Sequence, residues 1–214
     1  MPPRVHVLCA EGHPVVPSLR RWKTNQAASD VEIIFRPEEA CGGDILFLIS
    51  CPFIIGDEIR SRYGKTLIVH ASDLPSGRGW SPMVWEILQG AESITVTLLE
   101  AAEKVDSGAI WKKLRFQVAD HELYDEINEK LFGTTCELMD FAVTNFDSIV
   151  PAPQDTHGSS YHRKRTPDDS KLDPDASIRE QFNLLRICDP GRFPAFFELN
   201  GHAYEIEIRK RGRR

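Results

Sequence analysis

The sequence predicts an α/β fold: a parallel-rich twisted sheet with helices on both faces, followed by a short C-terminal helix and β-hairpin. Three observations carry that expectation. Through the first half of the chain, short β-branched runs alternate with amphipathic segments, the pattern of strands joined by helical crossovers. One long segment with apolar residues at helical spacing closes the alternation near residue 145. Beyond a polar stretch, two short apolar runs flank Asn200-Gly201, a favoured pair for a two-residue hairpin turn. The expected division is a catalytic domain over residues 1–150 and an extension over residues 151–214.

Residues 5–9, 31–35 and 44–49 read as buried strands, because each is an apolar run of strand length bounded by charged, Gly or Pro residues. Residues 17–28 have helical composition, residues 56–63 read as a short helix, and residues 66–71 make a fourth strand. Ser81-Pro82 has the form of a helix start, a hydroxyl at the N-cap and proline at the first helical position. Val84, Trp85 and Leu88 supply its apolar stripe, with Trp85 expected in the core, and Gly90 ends it. Residues 94–99 alternate at the strand period, and Asp120 can cap a helix running to Asn145, with Leu123, Ile127, Leu131, Leu138 and Phe141 on one face. Residues 151–175, rich in Pro, Ser, Asp and basic side chains, read as a surface segment. A helix over residues 177–187 and hairpin strands over residues 196–199 and 204–208 complete the chain.

The 214 residues are 41 % hydrophobic and 27 % charged, enough apolar content for a self-sufficient core and outside the ranges of disordered, collagenous or coiled-coil chains. The net charge of −6 weighs against a bulk electrostatic grip on nucleic acid. Five scattered cysteines without a C-x-x-C pair point away from a disulfide framework or zinc site and toward small buried hydrophobes. The remaining histidines share no metal-ligand spacing, so no metal is expected. The N-terminal stretch has no apolar run of signal-peptide length, and the longest apolar run falls short of the roughly 18 to 20 residues of a membrane span. A cytoplasmic protein with no membrane partner is expected.

Ala10-Glu11-Gly12-His13-Pro14 follows the first strand in place of a Gly-rich dinucleotide loop, and P-loop and nucleophile-elbow patterns are absent. The second half of the sheet carries the chemistry instead. His70 ends a strand, and Ala71-Ser72-Asp73-Leu74-Pro75-Ser76-Gly77-Arg78-Gly79-Trp80-Ser81-Pro82 follows it; Asp106-Ser107-Gly108 comes after the next strand. A histidine that titrates near neutrality beside a carboxylate suits removal of a proton from an attacking nucleophile. Taken alone, Asp106-Ser107-Gly108 is also ordinary turn chemistry.

This constellation resembles the folate-dependent formyltransferases, whose pattern is Asn-x-His, Leu-Pro, Arg-Gly, a Pro-led helix ending in Gly, then a strand and Asp-x-Gly. The resemblance covers about residues 31–146. It implies a Rossmann-like formyltransferase fold, N10-formyltetrahydrofolate as formyl donor, His70 as general base or proton shuttle and Asp106 as its orienting partner. The pattern departs at its first residue, where Ile68 stands for the family's Asn. Losing such an oxyanion donor costs about 2.7–4 kcal/mol in other enzymes. A protonated His70, a backbone N–H or a water takes over, or the protein binds without catalysing. The wording around His70 is similar to small formyltransferases of nonulosonic (pseudaminic-type) sugar pathways, in which that Asn is likewise replaced.

The same resemblance implies a pterin slot between Cys51, Pro52, Phe53, Ile54 and Ile55 on one side and Ala101, Ala102, Val105 and Asp106 on the other. On the acceptor side it implies Asp73, Arg78, Gly79 and Trp80, with Arg163 and Arg165 meeting the phosphates of a nucleotide-linked amino sugar. The basic run at 163–165 also reads as a solvated face, and the terminal run ending in Arg213-Arg214 as a basic tail. The chain lacks length for the roughly 90-residue second barrel for which tRNA formyltransferases are known, which favours a UDP-4-amino-4,6-dideoxy hexose over tRNA. Glycinamide ribonucleotide, or water as in formyl-folate hydrolysis, remains as an alternative acceptor. The apolar C-terminal helix and hairpin can pack onto their own domain or across a homodimer.

Overall fold

The computed structural model describes residues 3–26, 29–155 and 157–212. Strands β1 (Arg4–Leu8), β2 (Asp30–Ile34), β3 (Gly43–Leu48) and β4 (Tyr63–His70) run parallel in the order β2-β1-β3-β4. Strands β6 (Ser93–Glu100) and β7 (Ile110–Gln117) extend the sheet beyond β4 in antiparallel pairing, giving six strands with β2 and β7 at its edges. Strand β5 (Arg78–Gly79) lies apart and pairs with β8 (Tyr161–His162).

The two faces of the sheet are covered unequally. Val5, Val7, Ile45, Phe47 and Leu67 meet the buried residues of α1 (Val16–Asn25), α3 (Pro82–Leu88) and α4 (Tyr124–Asn145) in one large core. The alternate residues Leu8, Ile34, Leu46 and Leu48 form a smaller cluster with Ile55, Tyr63 and, from the single-turn α2 (Asp57–Arg60), Ile59. Period-two alternation in strands buried on both faces produces this split.

Several elements differ from expectation. Helix α1 ends at Asn25, and the predicted positions 27 and 28 lie outside the described residues. Helix α2 is one turn, and β4 begins already at Tyr63, whose pairing opposite Gly43 takes the backbone into the sheet. Ser81 occupies the N-cap of α3 at φ 49° without a side-chain cap, so proline rather than the hydroxyl sets that start. Asp120 does not cap α4; the Glu126 carboxylate accepts the Leu123 N–H at 2.9 Å instead.

Strand β7 is absent from the sequence reading. Lys112, Leu114 and Phe116 are half-buried against exposed Lys113, Arg115 and Gln117, an edge-strand alternation hidden by its charges.

The segment 151–175 is tied down: Ala152 bridges Ile110, β8 pairs β5, and Pro167–Ser170 forms a 3-10 turn. Helix α5 (Phe182–Ile187) starts later than predicted, because Ser177 and Glu180 close a local turn before it. The hairpin of β9 (Ala195–Leu199) and β10 (His202–Ile206) turns at Asn200 and Gly201, both at positive φ, as the Asn-Gly pair requires. Ile187 joins the main core and Arg186 donates to the Ala119 carbonyl at 2.9 Å, so the extension packs onto its own chain. Of the cysteines, Cys9 and Cys188 are buried while Cys41 is exposed, accepting from Arg4 at 3.1 Å. Among the described residues, no helix is long and apolar enough to cross a membrane.

Candidate active site

Strand β4 delivers His70 to the carboxyl edge of the sheet, where Thr66, Ile68 and His70 share a face by strand alternation. His70 is 8 % exposed, and its Nε2 sits 2.9 Å from the Gly77 carbonyl oxygen. A carbonyl only accepts, so Nε2 carries the proton. Nδ1 faces Asp106 Oδ1 at 3.6 Å, too long for a hydrogen bond but close enough for an ion pair once Nδ1 is protonated. In the neutral ring, Nδ1 is therefore a proton acceptor with a buried carboxylate beside it.

Asp106 lies in the loop between β6 and β7 at φ 52°, a left-handed conformation that a non-glycine residue adopts at some cost. Its Oδ2 accepts the Gly79 N–H at 2.9 Å, which leaves Oδ1 for His70. The pair thus joins two loops, one after β4 and one after β6, at the edge where open α/β sheets bind ligands.

Sequence reasoning misses two residues that hold these loops, both from the extension. Gln154 Nε2 donates to the carbonyls of Asp106 and Gly108 at 2.9 and 2.7 Å, and its Oε1 accepts from Arg78 at 2.9 Å. Ser160 Oγ accepts the Gly77 N–H at 2.8 Å, and the β5–β8 ladder adds Arg78 N–H to Ser160 O and Trp80 N–H to His162 O, both at 3.0 Å. Nothing local in Pro153-Gln154-Asp155 signals this; only long-range pairing creates it.

The other candidate residues scatter in role. Cys51, Ile55, Ile68 and Ala101 belong to one apolar cluster, while Pro52, Phe53, Ile54, Ala102 and Val105 are exposed around it, Ile54 at 89 %. Burial pushes the Cys51 thiol up, offset in part by a hydrogen bond with the Phe53 backbone. Asp73 is paired with Lys113 at 2.5 Å and Arg115 at 4.0 Å on β7, so its carboxylate is already engaged. Trp80 is exposed and carries the Lys164 ammonium over its ring at 4.8 Å. Arg163 is bound by both nitrogens to Asp169, which holds that carboxyl far below its usual range, and stacks over Trp85 at 4.9 Å. Arg165 is buried, bonded to Asp169 O and Ser170 Oγ. The basic run is thus largely engaged by the protein itself.

Trp85 corrects the core expectation: it is half-buried between His162, stacked at 13°, and Arg163. Burial lowers His162, with the charge of nearby His70 adding to it. Among the described residues, no group of three or more His, Cys, Asp or Glu is placed to hold a metal. A cavity of about 650 Å³ lies elsewhere, between α4 and the extension, lined by Leu123, Ile178, Phe182 and Leu185.

Comparison with known proteins shows the family and the fold. The formyl transferase family model matches residues 10–139. The methionyl-tRNA formyltransferase of Rickettsia massiliae is 30 % identical over 166 residues, covering 76 % of this chain and 54 % of that protein. That of Rickettsia bellii is 31 % identical over 131 residues, covering 60 % and 43 %. The chain spans about half the length of these relatives. Among solved structures, methionyl-tRNA formyltransferase from Clostridium thermocellum superposes at TM-score 0.82 with 19 % identity, over 98 % of this chain and 95 % of that one. HypX from Aquifex aeolicus, solved with tetrahydrofolic acid, gives 0.81 at 19 % identity over 97 % and 38 %. A sugar N-formyltransferase from Shewanella gives 0.73 at 16 % identity over 96 % of each chain. At these identities the solved structures speak for the fold alone.

Proposed function

Because the chain belongs to the formyl transferase family, we propose that it moves a formyl group from N10-formyltetrahydrofolate to the amine of a nucleotide-linked amino sugar. The observation that carries the chemistry is the buried His70–Asp106 pair, with Asp106 Oδ2 held by Gly79 so that Oδ1 faces Nδ1. The neutral amine attacks the formyl carbon, and Nδ1 takes the proton that the new C–N bond releases. The resulting imidazolium is stabilised by Asp106 and returns the proton to N10 of the leaving tetrahydrofolate. Ile68 donates nothing to the oxyanion, and both ring nitrogens of a protonated His70 already face the Gly77 carbonyl and Asp106 Oδ1, so this reading assigns the oxyanion to a backbone N–H or a water.

The apolar cluster of Cys51, Ile55, Ile68 and Ala101 fits a flat heteroaromatic ring, with backbone groups of 101–106 for its polar edge. For the acceptor, the reading rests on Trp80 with Lys164 beside the catalytic loop, an aromatic surface with a cation suited to a sugar carrying phosphate. Sugar N-formyltransferases of the same fold stand among the structural neighbours, beside a methionyl-tRNA formyltransferase. Methionyl-tRNA is the second reading, favoured by the relatives of about 30 % identity.

The test is tetrahydrofolate release from N10-formyltetrahydrofolate, measured alone, with UDP- and dTDP-linked 4-amino sugars, and with methionyl-tRNA. Release that depends on a sugar amine supports the proposal; release only with methionyl-tRNA replaces the acceptor. Release without any amine makes the protein a hydrolase. Folate binding without release under any condition makes Ile68 the mark of a non-catalytic binding protein.

A further inference from the structure

We infer that Gln154 is a positioning residue whose carboxamide sets the Asp106 carboxylate against His70 and ties that geometry to the Arg78 loop. Gln154 lies beyond the stretch matched to the family, which ends at residue 139, yet its side chain bonds both loops of the site. Nε2 spends both of its N–H groups on the carbonyls of Asp106 and Gly108, and Oε1 accepts a hydrogen bond from Arg78. Asp106 at φ 52° keeps its unfavourable backbone only while its surroundings hold it. Its side chain reaches the loop after β4 through Gly79, the residue next to Arg78.

The three bonds close a circuit: Gln154 to Asp106, Asp106 to Gly79, and Arg78 back to Gln154. Residue type is constrained by this circuit. Only a carboxamide donates twice and accepts once in one plane; a carboxylate accepts alone and an ammonium donates alone. Asparagine carries the same group one methylene short. The backbone that presents Gln154 is fixed independently of its side chain, since Ala152 exchanges two backbone bonds with Ile110 at 2.7 and 2.8 Å. Removing the carboxamide therefore leaves the segment docked and loosens the catalytic carboxylate.

The kinetic part of the inference rests on the formyl-transfer reading; the geometric part does not, and the experiment separates them. In Gln154→Ala, amide hydrogen exchange at Gly79 should accelerate about tenfold or more, because its acceptor Asp106 loses its anchor, with exchange in β1 and β3 unchanged. In the same variant kcat for formyl transfer should fall about 10- to 100-fold, with KM for N10-formyltetrahydrofolate within about twofold of wild type. Gln154→Glu retains a partner for Arg78 but loses both donations, and should be as slow as Gln154→Ala. Unchanged Gly79 exchange in Gln154→Ala, or wild-type kcat in Gln154→Glu, overturns the inference. If the wild-type protein transfers no formyl group at all, the functional reading fails by itself and Gly79 exchange alone decides the positioning role.

Discussion

The Glu86 carboxyl is half-buried on α3 beside the loop that follows His70, and burial, with Asp73 adding its charge, pushes it up to about 7. His13, after β1, is pushed down to about 4 by burial and by Arg192. The two act on stability in opposite senses. Between about 4.5 and 7 the folded Glu86 holds a proton that the unfolded chain has released, so stability falls as pH rises through that window. Between about 4 and 6.5 the folded His13 lacks a proton that the unfolded chain has taken up, so stability is lost as pH falls. Where the windows overlap the slopes oppose each other, and the wild-type protein should change little from pH 5 to 6.5. Glu86→Gln should gain several degrees of Tm over wild type at pH 8 and nothing at pH 4.5, since 1 kcal/mol is about 2–4 °C for a chain of this size. His13→Gln should show its gain at pH 4.5 instead. Thermal melts across pH check both, and parallel curves for variant and wild type would reject the assignment.

Short elements decide how the site is held. The β5–β8 ladder is two residues long, yet it presses His162 O so close to Gly79 that a Cβ there would lie 2.4 Å away, at a φ of 94°. Gly79→Ala should therefore cost about 2 kcal/mol or more and lower the transfer rate with it, because the same residue donates to Asp106. Urea unfolding of the variant checks this; wild-type stability would mean that the ladder is dispensable. The elements β1 to β4, α4 and the Asn-Gly hairpin are legible in the sequence, because burial leaves apolar runs in the strands and a helical period in α4, while the turn residues mark the hairpin. Strand β7, the β5–β8 pair and the start of α5 are not, since edge charges, two-residue pairing and a Ser177–Glu180 turn leave no such period.

On the scale of the whole molecule, side-chain and backbone bonds cross the boundary expected at residue 150. Deleting residues 151–214 removes Gln154, Ser160, β8 and the Ile187 and Arg186 contacts, and uncovers Trp85. Formyl transfer should drop by about 100-fold or more, and binding of a hydrophobic dye should rise; a truncated chain with full activity would restore the simple two-part division. The sequence by itself determined the α/β class and the family resemblance, which in turn implied His70 and Asp106 as partners and marked Ile68 as odd, because the class rests on local apolar pattern and the resemblance on residue types at fixed spacing. Tertiary structure alone decided that Asp106 is aimed by Gly79, that Gln154 and Ser160 hold the two loops, and that Arg163 and Arg165 are committed to Asp169 and Ser170. The loop contacts join residues up to 83 positions apart, and separation of that order leaves no trace in a chain read one segment at a time.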